Sequence, residues 1–86
     1  MIISLKEMLE NLVKGIVQTE EDIQVNEEIG QVIHGKVTSH FTVKVKKEEF
    51  SLLVGKKGTT INALRVIMSK LGGKLKRMVF VDLDET

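Results

Sequence analysis

A chain of 86 residues with 42% hydrophobic and 29% charged side chains can bury one modest core, read here as a single domain over 1–86, and is too short for most cofactor-binding enzymes. With no cysteine it has no disulfide framework and no thiolate nucleophile, and a zinc site would need both histidines together with carboxylates. The net charge of +1 says nothing about partners by itself, but its distribution does. Up to residue 35 only Lys6 and Lys14 stand against Glu7, Glu10, Glu20, Glu21, Asp22, Glu27 and Glu28, whereas basic residues dominate from Lys36 onward. An acidic front and a basic middle fit a polyanionic partner, or ordinary solvated faces. No apolar run approaches the ~20 residues of a membrane span. The opening "MIISLKEMLE" lacks the basic head, long apolar stretch and cleavage site of a secretory signal. The expectation is a soluble, cytoplasmic protein with no membrane partner.

Ser4 and Glu7 form a capping-box pair that predicts a helix start. Leu5, Met8, Leu9, Leu12, Val13 and Ile16 then recur at helical spacing, an apolar stripe over 5–18 weakened near its end by Gly15. Thr19 to Asp22 reads as a polar turn. "DIQVNE" alternates, with Ile23 and Val25 on one face of a short strand, and Gly30 and Gly35 punctuate the next stretch. From Val37 to Lys46 the alternation is clean: Val37, Ser39, Phe41, Val43 and Val45 share one face. "KEEFSLLV" carries acids in its first turn and Phe50, Leu53 and Val54 on one side, a helix of about two turns that Gly55 ends. After Gly58 the helical spacing resumes through Ile61, Leu64, Ile67, Met68 and Leu71, with Thr59 or Thr60 as N-cap and Gly72 and Gly73 as a left-handed stop. Arg77 to Leu83 alternates again, with Val79, Val81 and Leu83 on one face and Met78 and Phe80 on the other.

"VGKKG", Val54 to Gly58, lies between two helices. A sharp reversal there accounts for both glycines, which tolerate positive φ. It does not require Lys56 and Lys57, whose ammonium groups repel each other at an exposed tip. Glycines also let a phosphate approach the backbone, and the amides and dipole of the following helix point to the same spot. "GQVIHGKV", Gly30 to Val37, nearly spells a nucleotide-binding P-loop, but Val37 stands where Ser or Thr is needed. His34 and His40 would share a strand face if one strand ran through both, yet no third metal ligand has suitable spacing. Nothing ties Ser39 or Ser51 to a histidine and an acid, so an enzyme is not expected. Phe41, Phe50 and Phe80 are the only aromatics, too few for a base-stacking platform.

With its apolar lead-in, paired lysines and flanking elements, "VGKKG" resembles the G-x-x-G loop of KH domains, which clamp four nucleotides of single-stranded RNA or DNA. The extra helix and strand ahead of the core match the type II arrangement. That is an α+β two-layer fold in the order α-β-β-α-α-β, a three-stranded sheet with three helices on one face. Length and the segment "LLVGKKGTTINALRVIMSK" are similar to small bacterial stand-alone KH proteins of the KhpA type and to the KH domain of Jag (KhpB) proteins. The likeness covers roughly the whole chain, although Gly30 to Lys36 matches no pattern within it.

The resemblance implies a non-catalytic RNA-binding protein needing no cofactor, with a chaperone or regulatory role. Gly55 and Gly58 would admit the backbone, Lys56 and Lys57 would face its phosphates, and Thr59 and Thr60, opening the adjoining helix, would also belong to the RNA-binding surface. Val54 and Ile61 would line an apolar groove or simply belong to the core, with Asn62 and Arg65 available to bases or sugars. It also implies pairing, as a homodimer or with a Jag-type partner, for which Met78 and Phe80 are candidate residues. The alternative is a KH-like module that binds protein and has lost nucleic acid.

Overall fold

Ser4 opens the first helix as its spacing to Glu7 predicts: it is extended, and its Oγ accepts from the Glu7 amide at 3.1 Å. The computed structural model describes residues 4–17 and 23–85, so the turn expected over Thr19 to Asp22 lies outside the described residues. Helix α1 spans Leu5–Lys14 and buries Leu5, Leu9 and Val13. It is shorter than the apolar stripe. At Gly15 the chain tightens, and the Ile16 and Val17 amides both donate to the Val13 carbonyl, at 2.9 and 3.0 Å. Val17 still reaches the core from this turn, which is why the apolar spacing outlasts the helix.

Strand β1 runs over Gln24–Ile33 and β2 over Lys36–Val45, paired antiparallel with Val25 opposite Val43 and Ile29 opposite Ser39. The short strand expected over "DIQVNE", residues 22–27, therefore extends much further along the chain, to Ile33. Gly30 does not stop it, because the register slips between Ile29 and Val32 and the extra residue is absorbed as a bulge. His34 and Gly35 make a two-residue turn with φ 52° and 76°, the positive values that tight hairpins demand.

Helix α2 (Lys47–Val54) and helix α3 (Thr59–Lys74), joined through a 3-10 turn at Lys56–Gly58, carry the chain back over the sheet to β3 (Arg77–Glu85). Strand β3 pairs parallel with β2, Phe41 opposite Val81, giving the order β1-β2-β3 with β2 central. Leu9, Val13, Leu53, Ile61, Leu64 and Met68 from the three helices meet Phe41, Val43, Val45, Val79 and Val81 from the sheet in one buried cluster. All three helices thus lie on one face. Phe41 is fully buried at the centre, a burial that contributes about 2–3 kcal/mol. Ser39, on the same buried face, has its hydroxyl satisfied by Arg77 Nη1 at 2.9 Å. No helix among the described residues is long and apolar enough to cross a membrane.

Gly72 and Gly73 do not end α3. The helix continues to Lys74, and the left-handed residue is Lys76, with φ 57°. Gly72 serves close packing instead: a Cβ there would run into the Val79 side chain and sit 3.0 Å from the Arg77 carbonyl oxygen. Glycine at this point lets α3 lie directly against β3.

Candidate nucleic-acid interface

Gly55 leaves α2 with φ 75° and ψ 173°, a region essentially reserved for glycine. A Cβ on it would collide with the Thr60 hydroxyl and lie 2.7 Å from the Thr60 amide nitrogen. The turn then closes on itself: the Gly58 amide donates to the Gly55 carbonyl at 3.2 Å, and the Thr59 amide donates to the Lys56 carbonyl. Lys57 and Gly58 are both left-handed, with φ 56° and 77°. Lys56 and Lys57 are exposed, and neither meets a carboxylate among the described residues.

The N-cap of α3 is Gly58 itself, without a side-chain cap, and Thr59 is already helical with φ −63° and ψ −41°. Neither threonine therefore caps the helix. A cap residue needs a non-helical backbone, and Gly58 takes that conformation one position earlier. Two exposed cations thus sit beside an uncapped helix start, where backbone donors and the helix dipole also favour an anion.

The other residues expected at the site divide by direction. Val54 is half-buried and Ile61 is buried in the core cluster. Thr60 lies on the α1 side of α3, lining a cavity with Leu12, Ile16 and Ala63. Asn62 and Arg65 are exposed. With Ser69 and Gly73 they repeat at three- and four-residue spacing, one stripe along the helix. Arg65 shows where that stripe faces: its Nε donates to the Val81 carbonyl of β3 at 3.0 Å, and Nη2 stands 3.8 Å from Asp82 Oδ1. The other Asp82 oxygen is 2.6 Å from His40 Nε2, and the His40 ring leans on Phe80 with centroids 6.0 Å apart. Arg65 is therefore a held side chain at the edge of β3.

A groove of about 390 Å³ adjoins it, lined by Arg65, Ser69, Phe80, Asp82 and His40 among others. His40, Ser69, Phe80 and Asp82 were not predicted for the site. The alternation of β2 and β3 marks which residues share a face, but the parallel pairing of His40 with Phe80 has no local signal. His34 and His40 do not share a strand face, since His34 is in the hairpin turn. Among the described residues no group of three His, Asp or Glu side chains gathers as for a metal.

The helix-sheet order, the parallel β2–β3 pair and the glycine loop between α2 and α3 define a type II KH domain. The family model for the KhpA/KhpB KH domain matches residues 6–83, and the chain belongs to that family. It is 36% identical to RNA-binding protein KhpA of Streptomyces coelicolor over 93% of this chain and 95% of that protein. With RNA-binding protein KhpA of Thermotoga maritima it is 32% identical over 86% and 92%, and with that of Aquifex aeolicus 28% over 95% and 98%. Among solved structures it resembles Aquifex aeolicus Era bound to GDP and aluminium fluoride, at a TM-score of 0.65 and 16% identity. That match covers 94% of this chain and 29% of Era, and shows a shared fold.

Proposed function

We propose that this domain binds single-stranded RNA in the cytoplasm without catalysing a reaction, as a chaperone or post-transcriptional regulator. The GKKG loop is its phosphate clamp. Gly55 and Gly58 admit the backbone, Lys56 and Lys57 pair with phosphates, and bases lie along the α3 stripe past Asn62 and Arg65. The observation that carries this reading is the pair of exposed lysines, without carboxylate partners among the described residues, beside an uncapped helix start. Relatives named RNA-binding proteins support it.

Neutralising a few phosphates makes binding weak, on the order of micromolar, and steeply salt-dependent, with a log–log slope of about −0.7 per phosphate. Pairing, with a second copy or a Jag-type KH protein, would raise avidity if both loops reach one RNA. Exposed Phe80 and half-buried Met78 on the helix-free face support that part of the reading.

The test is titration of a fluorescent single-stranded RNA pool at low and moderate salt. Lys56→Asp combined with Lys57→Asp should keep the wild-type circular dichroism, since both side chains are exposed, and lose at least about tenfold in affinity. Equal binding by both proteins would reduce the loop to a turn. Absence of binding by both would favour the protein-binding alternative, for which the exposed Ile29 and Val32 of the hairpin are the first surface to probe.

A further inference from the structure

The groove that begins at Arg65 does not end with Asp82 and Phe80. Ser69, Val79 and Phe80 also line a second cavity of about 280 Å³, closed at its far side by Lys36, Gly73 and Arg77. The two cavities share these three residues and therefore form one channel along the outer edge of β3. It starts at Arg65, about two turns along α3 from the glycine loop, and finishes at Gly73, about 22 Å from Gly58 for the 15 residues between them.

Its two halves differ in charge. In the first, Arg65 and His40 are both engaged by Asp82. The second has no acidic residue in its lining. Lys36 and Arg77 meet no carboxylate among the described residues, and Arg77 is held in place by its bond to Ser39 Oγ. Both cations line this one cavity, and Lys36 directly precedes Val37, which lies opposite Arg77. Gly73 belongs to the lining, and the space beside it is open, with nothing within 4 Å of where a Cβ would stand.

We propose that this cavity is a second phosphate site for the same strand: RNA held at the GKKG loop runs along the β3 edge, and a later phosphate docks between Lys36 and Arg77. The proposal rests on the RNA-binding function proposed for the loop and extends the footprint beyond the four nucleotides that a glycine loop clamps. Ser69, at the junction, is the point past which the strand must thread.

The experiment compares single-stranded RNA of four and of about eight nucleotides against wild type, Lys36→Gln, Ser69→Glu and, as a charge control outside both cavities, Lys74→Gln. The wild type should bind the longer RNA more tightly and with a steeper salt slope. Lys36→Gln should weaken the longer RNA about fivefold at 0.1 M salt relative to 1 M, the value of one lost phosphate contact, and leave the four-nucleotide RNA unchanged. Ser69→Glu, which puts a carboxylate into both cavities, should weaken the longer RNA at least as much, while Lys74→Gln should leave both lengths unchanged. Any statistical gain from extra binding registers on the longer RNA persists in every variant and so cancels in the comparison. The proposal is overturned if Lys36→Gln leaves the longer RNA unaffected, weakens both lengths alike, or acts no more strongly than Lys74→Gln. Loss of binding to both lengths by the wild type would overturn the RNA-binding reading itself, a separate result.

Discussion

Two short glycine-bearing segments of this chain look alike on paper: "GQVIHGK" ahead of β2 and "GKKG" ahead of α3. Both put glycine beside cations, and both use two consecutive residues of positive φ, His34 with Gly35 and Lys57 with Gly58. Their surroundings separate them. The first closes a hairpin between paired strands, so its backbone groups belong to the ladder and its glycine stands in open space. The second joins two helices, with Gly55 pressed against Thr60 and the lysines exposed at an uncapped helix start. A glycine pattern acquires meaning from what its backbone is tied to, and only the second sets its lysines beside the start of a helix.

The largest effect that would test this contrast comes from alanine at the two glycines. Gly55→Ala combines a forbidden backbone region with a collision against Thr60 and should cost about 3 kcal/mol. Gly35→Ala meets only the left-handed φ of 76° and should cost about 1 kcal/mol. Urea denaturation of both proteins measures the difference, and equal losses would break the contrast.

A smaller pair of effects carries the same lesson into α3. Gly72→Ala should destabilise by about 2 kcal/mol, because Val79 and the Arg77 carbonyl fill the space. Its neighbour Gly73→Ala should stabilise by up to about 1 kcal/mol, since nothing lies nearby and alanine is the better helix former. Thermal melts that shift in the same direction would show that packing against β3 is not what glycine provides at 72. The smallest effect should come from Lys57→Gly. Relief of its φ of 56° should raise stability by about 1 kcal/mol while RNA affinity falls through loss of one charge. A variant that lost stability would mean that the lysine side chain supports the loop.

Much of the fold was readable because the signals are local. The Ser4 cap, the α1 stripe, the alternation of β2 and the apolar positions of α2 and α3 each depend on spacings of two to four residues. Two of the misreadings share a cause: they concern glycines whose role depends on a distant neighbour. Gly30 looked like a stop and is taken up in a bulge opposite β2; Gly72 looked like a cap and is a packing contact with β3. The loop glycines and lysines of the candidate site were legible because they are contiguous. Val54 and Ile61 were readable from helical spacing as core positions as well as neighbours of the loop, and Ile61 is in the core, but the direction of Thr60 toward α1 was not readable.

By itself the sequence determined the order of elements, the face each would bury, and a charged glycine turn between two helices, since periodicity and turn chemistry are properties of adjacent residues. Only the tertiary structure decided that β3 lies parallel beside β2, bringing His40 to Asp82 across 42 positions of sequence, tying Arg65 to the strand edge, and setting Lys36 beside Arg77. Those juxtapositions arise from strand register, which is selected by the burial of the whole apolar face at once and leaves no mark within any single segment.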